Sequence, residues 1–118
     1  MNEKLSEMLG PAAKKVLETL NPDAPIFVVR RISHISGEET VSTHAAYPDE
    51  RSATIAVDDA QGAQLLEDRL YLLPTTTLGQ LQAGRQYDSG ARSFLDDTDT
   101  AVIIKDYLAR KLASNNAG

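Results

Sequence analysis

The stretch Pro25-Ile26-Phe27-Val28-Val29-Arg30-Arg31-Ile32-Ser33-His34-Ile35 decides how the rest of this chain is arranged. Its four consecutive apolar residues lie between a proline and Gly37. Because side chains alternate along a strand, these four would make both of its faces apolar. Such a run is typical of a strand that is covered on both faces. The stretch therefore predicts an interior strand, and its two arginines are expected where the strand leaves the core.

The residues before this strand have the spacing of an amphipathic helix. Apolar side chains recur at intervals of three and four, namely Leu5, Met8, Leu9, Ala12, Val16, Leu17 and Leu20. Gly10-Pro11 interrupts the pattern, because an interior proline removes a helical hydrogen bond. We therefore expect a short turn followed by a main helix that begins at Pro11.

The residues after the first strand indicate more strands in quick succession. Ser36–Glu39 predicts a turn into a second strand over residues 40–47, and Pro48-Asp49 suits the centre of a type I turn. Ala53, Ile55 and Val57 alternate with smaller or polar residues and predict a third strand. Because both connections are tight, an antiparallel meander is expected. Residues 85–87 are a candidate fourth strand.

Two helices are expected in the C-terminal half. Asp58 is a suitable N-cap for a helix that ends near Leu73, before Pro74. Asp97 and the acidic residue two positions later predict the start of the last helix. The sequence thus predicts one α+β domain over residues 1–114: an N-terminal helix, a three- or four-stranded antiparallel meander, and two C-terminal helices separated by an irregular loop. Residues 115–118 are expected to be a disordered tail.

The order of helix, three strands and helix through Leu73 resembles a double-stranded-RNA-binding domain in topology. Such domains bind phosphates with lysines at the start of the second helix. This sequence has Asp58-Asp59-Ala60-Gln61-Gly62 at that position, which would repel phosphate. The resemblance therefore does not extend to RNA binding.

Composition restricts the class of protein further. The chain has 118 residues, no cysteine and a formal net charge of −5, which argues against direct binding to nucleic acid. Its first residues include three charged side chains and do not form a secretory signal. Its apolar runs are too short to span a membrane. We expect a soluble cytoplasmic protein.

No metal site, cofactor or catalytic group is predicted. His34 and His44, the two histidines, fall on neighbouring predicted strands, but zinc would need a third protein ligand that no residue supplies at metal-site spacing. The acidic run Asp96–Asp99 lacks the glycine and the glutamate of a calcium loop. Helix capping explains this run better.

The loop 83–93 is the one candidate for an anion site. Ser89 lies in a small-residue turn, and Arg85 and Arg92 flank it. Exposed backbone N–H groups together with arginine can bind a phosphate or carboxylate. The loop matches neither the P-loop nor the dinucleotide fingerprint, since it has a single glycine and no following lysine.

Our leading functional hypothesis is a small interaction or regulatory module without catalytic activity, which binds another protein or itself. A homodimer is expected through the apolar stripe of the last helix, formed by Ala101, Ile104, Leu108 and Leu112. In the alternative arrangement this stripe packs within the protomer, onto the helix that ends near Leu73. Two other functions are considered: a ligand-binding or enzymatic domain that binds a small anion at loop 83–93, and an acidic protein that occupies a partner's nucleic-acid groove.

Overall fold

An antiparallel sheet forms around the stretch that begins at Pro25 in the computed structural model, which describes residues 2–62 and 68–117. For residues 61, 62 and 114–117 it describes the backbone alone. The predicted α+β class, with an N-terminal helix, an antiparallel sheet and C-terminal helices, is confirmed. In chain order the elements are α1 (Glu3–Leu17), β1 (Pro25–Ile35), β2 (Glu38–Tyr47), α2 (Glu50–Gly62), β3 (Asp68–Leu72), β4 (Thr76–Thr77), α3 (Leu78–Gln82), β5 (Tyr87–Asp88), β6 (Ser93–Phe94) and α4 (Asp97–Ala117).

Strand β1 is the interior strand that the sequence predicts. Strand β2 pairs with one edge of β1, while β3 and β4 pair with successive parts of its other edge. Ser36 and Gly37 have positive φ angles of 54° and 82° and join β1 to β2, as a two-residue hairpin turn requires. The strand order β2-β1-β3 places β1 at the centre, so the sheet is not the predicted meander.

The third strand predicted at residues 53–57 is wrong, because this segment belongs to helix α2. Asp49 caps the helix: its carboxylate accepts a 2.9 Å hydrogen bond from the backbone nitrogen of Ser52. Ala53 and Val57, four positions apart, both pack on the sheet. Positions i and i+4 share a face in a helix as well as in a strand, so the alternation did not discriminate between the two.

The helix predicted from Asp58 to Leu73 is also wrong. Asp58 lies inside α2, and the last part of the segment forms strand β3 beside β1. The part of this prediction that covers residues 63–67 lies outside the described residues. Helix α2 now separates the second strand from the third, so the resemblance to the order of a double-stranded-RNA-binding domain is not kept.

The two faces of β1 contribute to two apolar clusters. Ile26 and Val28 pack in the larger cluster with side chains of α1, α3 and α4. Phe27 and Val29 pack on the opposite face with Ala53 of helix α2. Coverage of both faces is what the unbroken apolar run predicts.

Helices α1 and α4 lie together on the larger cluster. The predicted interruption of α1 is confirmed, since Gly10 has a φ of 83° and the helix kinks there. Helix α4 also covers the outer edge of β2, where a carboxylate oxygen of Asp106 accepts a 2.7 Å hydrogen bond from the backbone nitrogen of Ala46. Its backbone is helical through Ala117, and disorder at residues 115–118 stays a prediction.

The segment between β3 and α4 contains more regular structure than expected. Leu78–Gln82 forms the short helix α3, which Thr77 caps. The strand expected at residues 85–87 is displaced to Tyr87–Asp88 and pairs with β6, so it is not part of the main sheet. The fourth strand of that sheet is β4. Over the described ranges, no helix combines the length and apolarity that a membrane span requires.

Candidate functional site

Strand β1 carries an arginine into the core. A β-bulge shifts the register with β2 between Val29 and Arg30, and it leaves His44 as the extra residue of β2. Arg30 is 1% exposed, so the expectation that both arginines mark the exit from the core is wrong for this residue. Arg31, on the other face, is exposed as expected.

The guanidinium of Arg30 reaches three separate elements. Its Nε donates to Oδ2 of Asp88 in β5 at 2.9 Å, and its Nη1 donates to Oγ1 of Thr43 in β2 at 2.7 Å. Its Nη2 donates to Oδ2 of Asp99 in α4 at 3.3 Å. A buried charge is tolerated when it is paired and hydrogen-bonded, and each of the three side-chain nitrogens of Arg30 donates a hydrogen bond.

Asp88 is fully buried, and its carboxylate accepts hydrogen bonds from several groups besides Arg30. The hydroxyl of Tyr71 donates to both carboxylate oxygens, at 2.8 and 2.9 Å. The backbone nitrogens of Gly90 and Ala91 donate to Oδ1 at 2.9 and 3.2 Å. Among the residues that the structure describes, no buried side-chain nitrogen or oxygen lacks a hydrogen-bond partner.

The charges within this network keep its protons in place at neutral pH. Burial lowers the pKa of Arg30, but the two carboxylates more than offset this effect, so the pKa lies above its ordinary value. Burial, assisted by the hydrogen bond to Asp88, raises the pKa of Tyr71 to about 12. Tyr71 is therefore a neutral hydrogen-bond donor, and neither group is suited to exchange a proton near pH 7.

Gly90 lets the turn after β5 approach strand β3 closely. A Cβ atom at this position would lie 2.5 Å from both Cζ and Oη of Tyr71. The absence of a side chain therefore allows the Gly90 nitrogen to reach Asp88 while the tyrosine hydroxyl does the same. The turn and the buried carboxylate form one interlocked unit.

Above this network, the hairpin β5–β6 presents two aromatic side chains to solvent. Tyr87 and Phe94 face each other across the hairpin with ring centroids 5.3 Å apart, in an edge-to-face arrangement. They are 47% and 62% exposed. Between residues 85 and 95 the exposed charged groups are the guanidinium groups of Arg85 and Arg92, since Asp88 is buried; the next residue, Asp96, is an exposed acid that caps α4.

The residues predicted to bind an anion are distributed along the hairpin. Arg85, Ser89 and Arg92 are all exposed. Arg85 precedes the hairpin at its open end, whereas Arg92 lies in the turn, so roughly 10 Å of extended backbone separates them. The turn's N–H groups already bind the carboxylate of Asp88. The anion that this loop binds in the structure is thus the protein's own carboxylate at Asp88.

The predicted interface stripe of α4 lies mostly inside the protomer. Ala101, Ile104 and Leu108 are buried in the larger apolar cluster with α1 and the sheet, while Leu112 is 47% exposed. This packing agrees with the alternative in which the stripe is intramolecular, except that the neighbouring helix is α1. Self-association stays a prediction, but these three side chains are not available to a partner in the folded protomer.

The structure separates the groups that were considered for metals. His34 lies near the tip of the β1–β2 hairpin, 3.6 Å from Glu39, while His44 occupies the bulge. Asp96 caps α4 by accepting a hydrogen bond from the backbone nitrogen of Asp99 at 2.7 Å, which agrees with the capping interpretation. Within the described ranges, no group of three or more histidine or acidic side chains is placed to hold a metal ion.

Comparison with known proteins gives no match: no protein-family model, curated protein or solved structure is similar to this chain. Sequence reasoning missed Arg30, Tyr71 and Asp88 as a unit. The one available signal was the position of Arg30 directly after a doubly covered apolar run, where a charge requires a partner.

Proposed function

We propose that this chain is a protein-binding module without catalytic activity, and that its recognition element is the β5–β6 hairpin. The partner is a different protein that offers an acidic surface around an apolar recess. One observation carries the proposal: Tyr87 and Phe94 are exposed on a hairpin whose position depends on the buried Arg30–Asp88 ion pair. Large aromatic side chains dominate the binding energy of many protein interfaces.

The buried network supports recognition because it fixes the hairpin before a partner arrives. Two-residue strands are marginal on their own, and here Asp88 joins β5 to β1 and β3 through Arg30 and Tyr71. A pre-formed binding element loses less conformational entropy on association. A buried ion pair is seldom the most stable way to fill a core, so a positioning role accounts for it better than stability does.

Charge complementarity supports an acidic partner. Arg85 and Arg92 are exposed, each two positions from one ring of the aromatic pair. Of the nearby acids, Asp88 is buried and paired with Arg30, and Asp96 is exposed but caps α4. Arginine forms bidentate contacts with carboxylates, and opposite potentials accelerate encounter. A second copy joined by a twofold axis through the hairpin would bring equivalent arginines together, which disfavours that arrangement.

The absence of catalysis is supported by the chemistry of the buried groups. Arg30 stays charged, Tyr71 stays neutral, and their hydrogen bonds are made within the protein. A general acid or base needs a pKa near the working pH and access to substrate. These groups are better suited to hold the hairpin than to transfer protons.

Selection from a displayed library of random 12-residue peptides tests the proposal. The immobilised protein is the target. Clones that also bind the double variant, in which Tyr87→Ser and Phe94→Ser are combined, are discarded because they bind elsewhere on the surface. We expect enriched peptides to be acidic and to carry an apolar residue. Their affinity, measured by fluorescence anisotropy, should fall at least tenfold for Phe94→Ser and for Arg92→Glu.

Matched controls lie on α4. Val102 and Leu112 are 48% and 47% exposed, so Val102→Ser and Leu112→Ser remove comparable apolar surface and should change affinity less than twofold. Circular dichroism confirms that each variant is folded. Enrichment of basic peptides, or binding that survives Phe94→Ser, would refute the proposal. A wild-type dimer that Phe94→Ser converts to a monomer would identify a second copy as the occupant and overturn the choice of partner.

A further inference from the structure

A cleft of about 380 Å³ lies on the sheet face opposite Arg30, between α2 and the part of the sheet near the β1–β2 turn. This volume falls within the range of small-molecule sites. Its lining combines polar and apolar side chains from α2 and the three long strands: Arg31, His44, Ala56, Asp59, Ala60, Asp68 and Leu70. The cleft is independent of the hairpin, because the sheet separates the two.

The cleft has a clear cause in the sequence. Helix α2 faces it with Ala56 and Ala60, whose methyl groups are too small to fill the space above Leu70. The β-bulge adds His44 to the lining, since this residue is the extra one between Ala45 and Thr43.

The charged groups of the cleft leave one carboxylate in excess. Arg31 and Asp68 pair with each other, and the hydrogen bonds from Arg31 lower the pKa of Asp68, which stays ionised. Asp59 lies at the helix side of the cleft and is exposed. Within the described residues it forms no ion pair. Apart from His44, the part of the lining that the structure describes has two carboxylates and one guanidinium, a formal charge of −1.

We propose that this cleft binds a small organic cation, a primary ammonium or guanidinium group on a short aliphatic stem. The cationic group pairs with Asp59, and the stem packs on Leu70 between the two alanines. The imidazole of His44 can accept a hydrogen bond from the same group. An anionic ligand would face the uncompensated carboxylate, and a purely apolar one would leave it without a partner.

An NMR titration with n-butylammonium chloride tests this inference at constant ionic strength. We expect saturable shifts in amide signals of the strands below α2, with the hairpin signals of residues 87–94 unchanged. Asp59→Asn should weaken binding at least fivefold. Asp58→Asn is the matched control: this neighbouring acid on the same helix is exposed and does not line the cleft, so affinity should change less than twofold.

A second variant tests whether the ligand occupies the cleft. Ala60→Leu places a larger side chain in the cleft and should abolish saturable binding without altering the hairpin signals. If Ala60→Leu does not fold, Asp59→Asn decides the question alone. Equal binding of n-butyrate or n-butanol, shifts that do not saturate, or an unchanged affinity in Asp59→Asn would overturn the inference. None of these outcomes depends on whether the hairpin binds a protein.

Discussion

The Nε atom of Arg30 lies 2.9 Å from Oδ2 of Asp88, and the two side chains are 2% and 0% exposed to solvent. Fifty-eight residues separate them in the chain. The contact joins the central strand of the sheet to a hairpin that does not belong to that sheet. Removing Arg30 would leave Asp88 buried without a charged partner, and removing Asp88 would leave Arg30 with the longer contact to Asp99 alone, so this pair controls both local order and stability.

Replacing Asp88 by alanine should strongly destabilise the fold. The change leaves the guanidinium of Arg30, the hydroxyl of Tyr71 and two backbone N–H groups with a partner missing. We expect a loss of about 3–5 kcal/mol in the free energy of unfolding, measured with urea. Asp68→Ala breaks an exposed arginine pair and is the control, with a far smaller expected loss. Equal losses in both variants would show that the buried network contributes no more to the free energy of unfolding than an exposed ion pair does.

Gly90→Ala should be destabilising despite its small size. The new methyl group would overlap Tyr71, which must move away from Asp88 to make room. A loss of about 1–3 kcal/mol is expected from such overpacking. The control is Gly79→Ala, where the nearest atom to the new Cβ is the Pro22 oxygen at 3.4 Å. Near-neutral behaviour of both variants would contradict the close contact between the turn and Tyr71.

Stability should fall at alkaline pH because of Tyr71. Its pKa is raised from 10 to about 12 in the folded protein, so the folded state holds this proton more tightly than the unfolded state. The contribution is complete below pH 10 and is lost progressively between about pH 10 and 12. Urea unfolding across that range should show a steeper decline for wild type than for Tyr71→Phe. Tyrosinate absorbance of the two proteins should differ by one group ionising near pH 12; a difference near pH 10 would reject the hydrogen-bonded, buried environment.

Two leucines of α4 should differ strongly in their response to the same substitution. Leu108 is 6% exposed within the core, so Leu108→Glu buries an unpaired charge and should cost more than about 3 kcal/mol. Leu112→Glu places the charge on an exposed position and should leave stability nearly unchanged. Light scattering of the wild type adds the test of self-association. A wild-type dimer that Leu108→Glu converts into a stable, folded monomer would restore α4 as the interface.

Local sequence patterns were sufficient for several elements. The apolar run from Ile26 to Val29 specified an interior strand, because four consecutive apolar side chains require cover on both faces. Gly10-Pro11 specified the kink in α1, and the acidic run before Ala101 specified the start of α4. In each case a backbone preference or a cap acts within a few residues of its cause.

Apolar patterns alone did not discriminate between helix and strand over residues 49–62 and 68–72. Ala53 and Val57 suit a strand or a helix equally, and the cap formed by Asp49 with Ser52 favours the helix. Leu70 and Leu72 belong to two different apolar stripes of the predicted helix, but their segment pairs with the open edge of β1. Burial against a neighbour outweighs the small differences in intrinsic propensity.

The candidate site likewise could not be predicted from the sequence alone. In the sequence, Arg30 marks the end of a buried strand. Its burial becomes favourable because the fold brings Asp88 and Asp99, 58 and 69 positions away in the chain, into hydrogen-bonding contact with it. The sequence by itself determined where apolar side chains must be covered and where helices begin or bend, since those effects are local. Only the tertiary structure decided which charges are buried and which aromatics stay exposed, because the free energy of a charge depends on the partners that the fold brings to it.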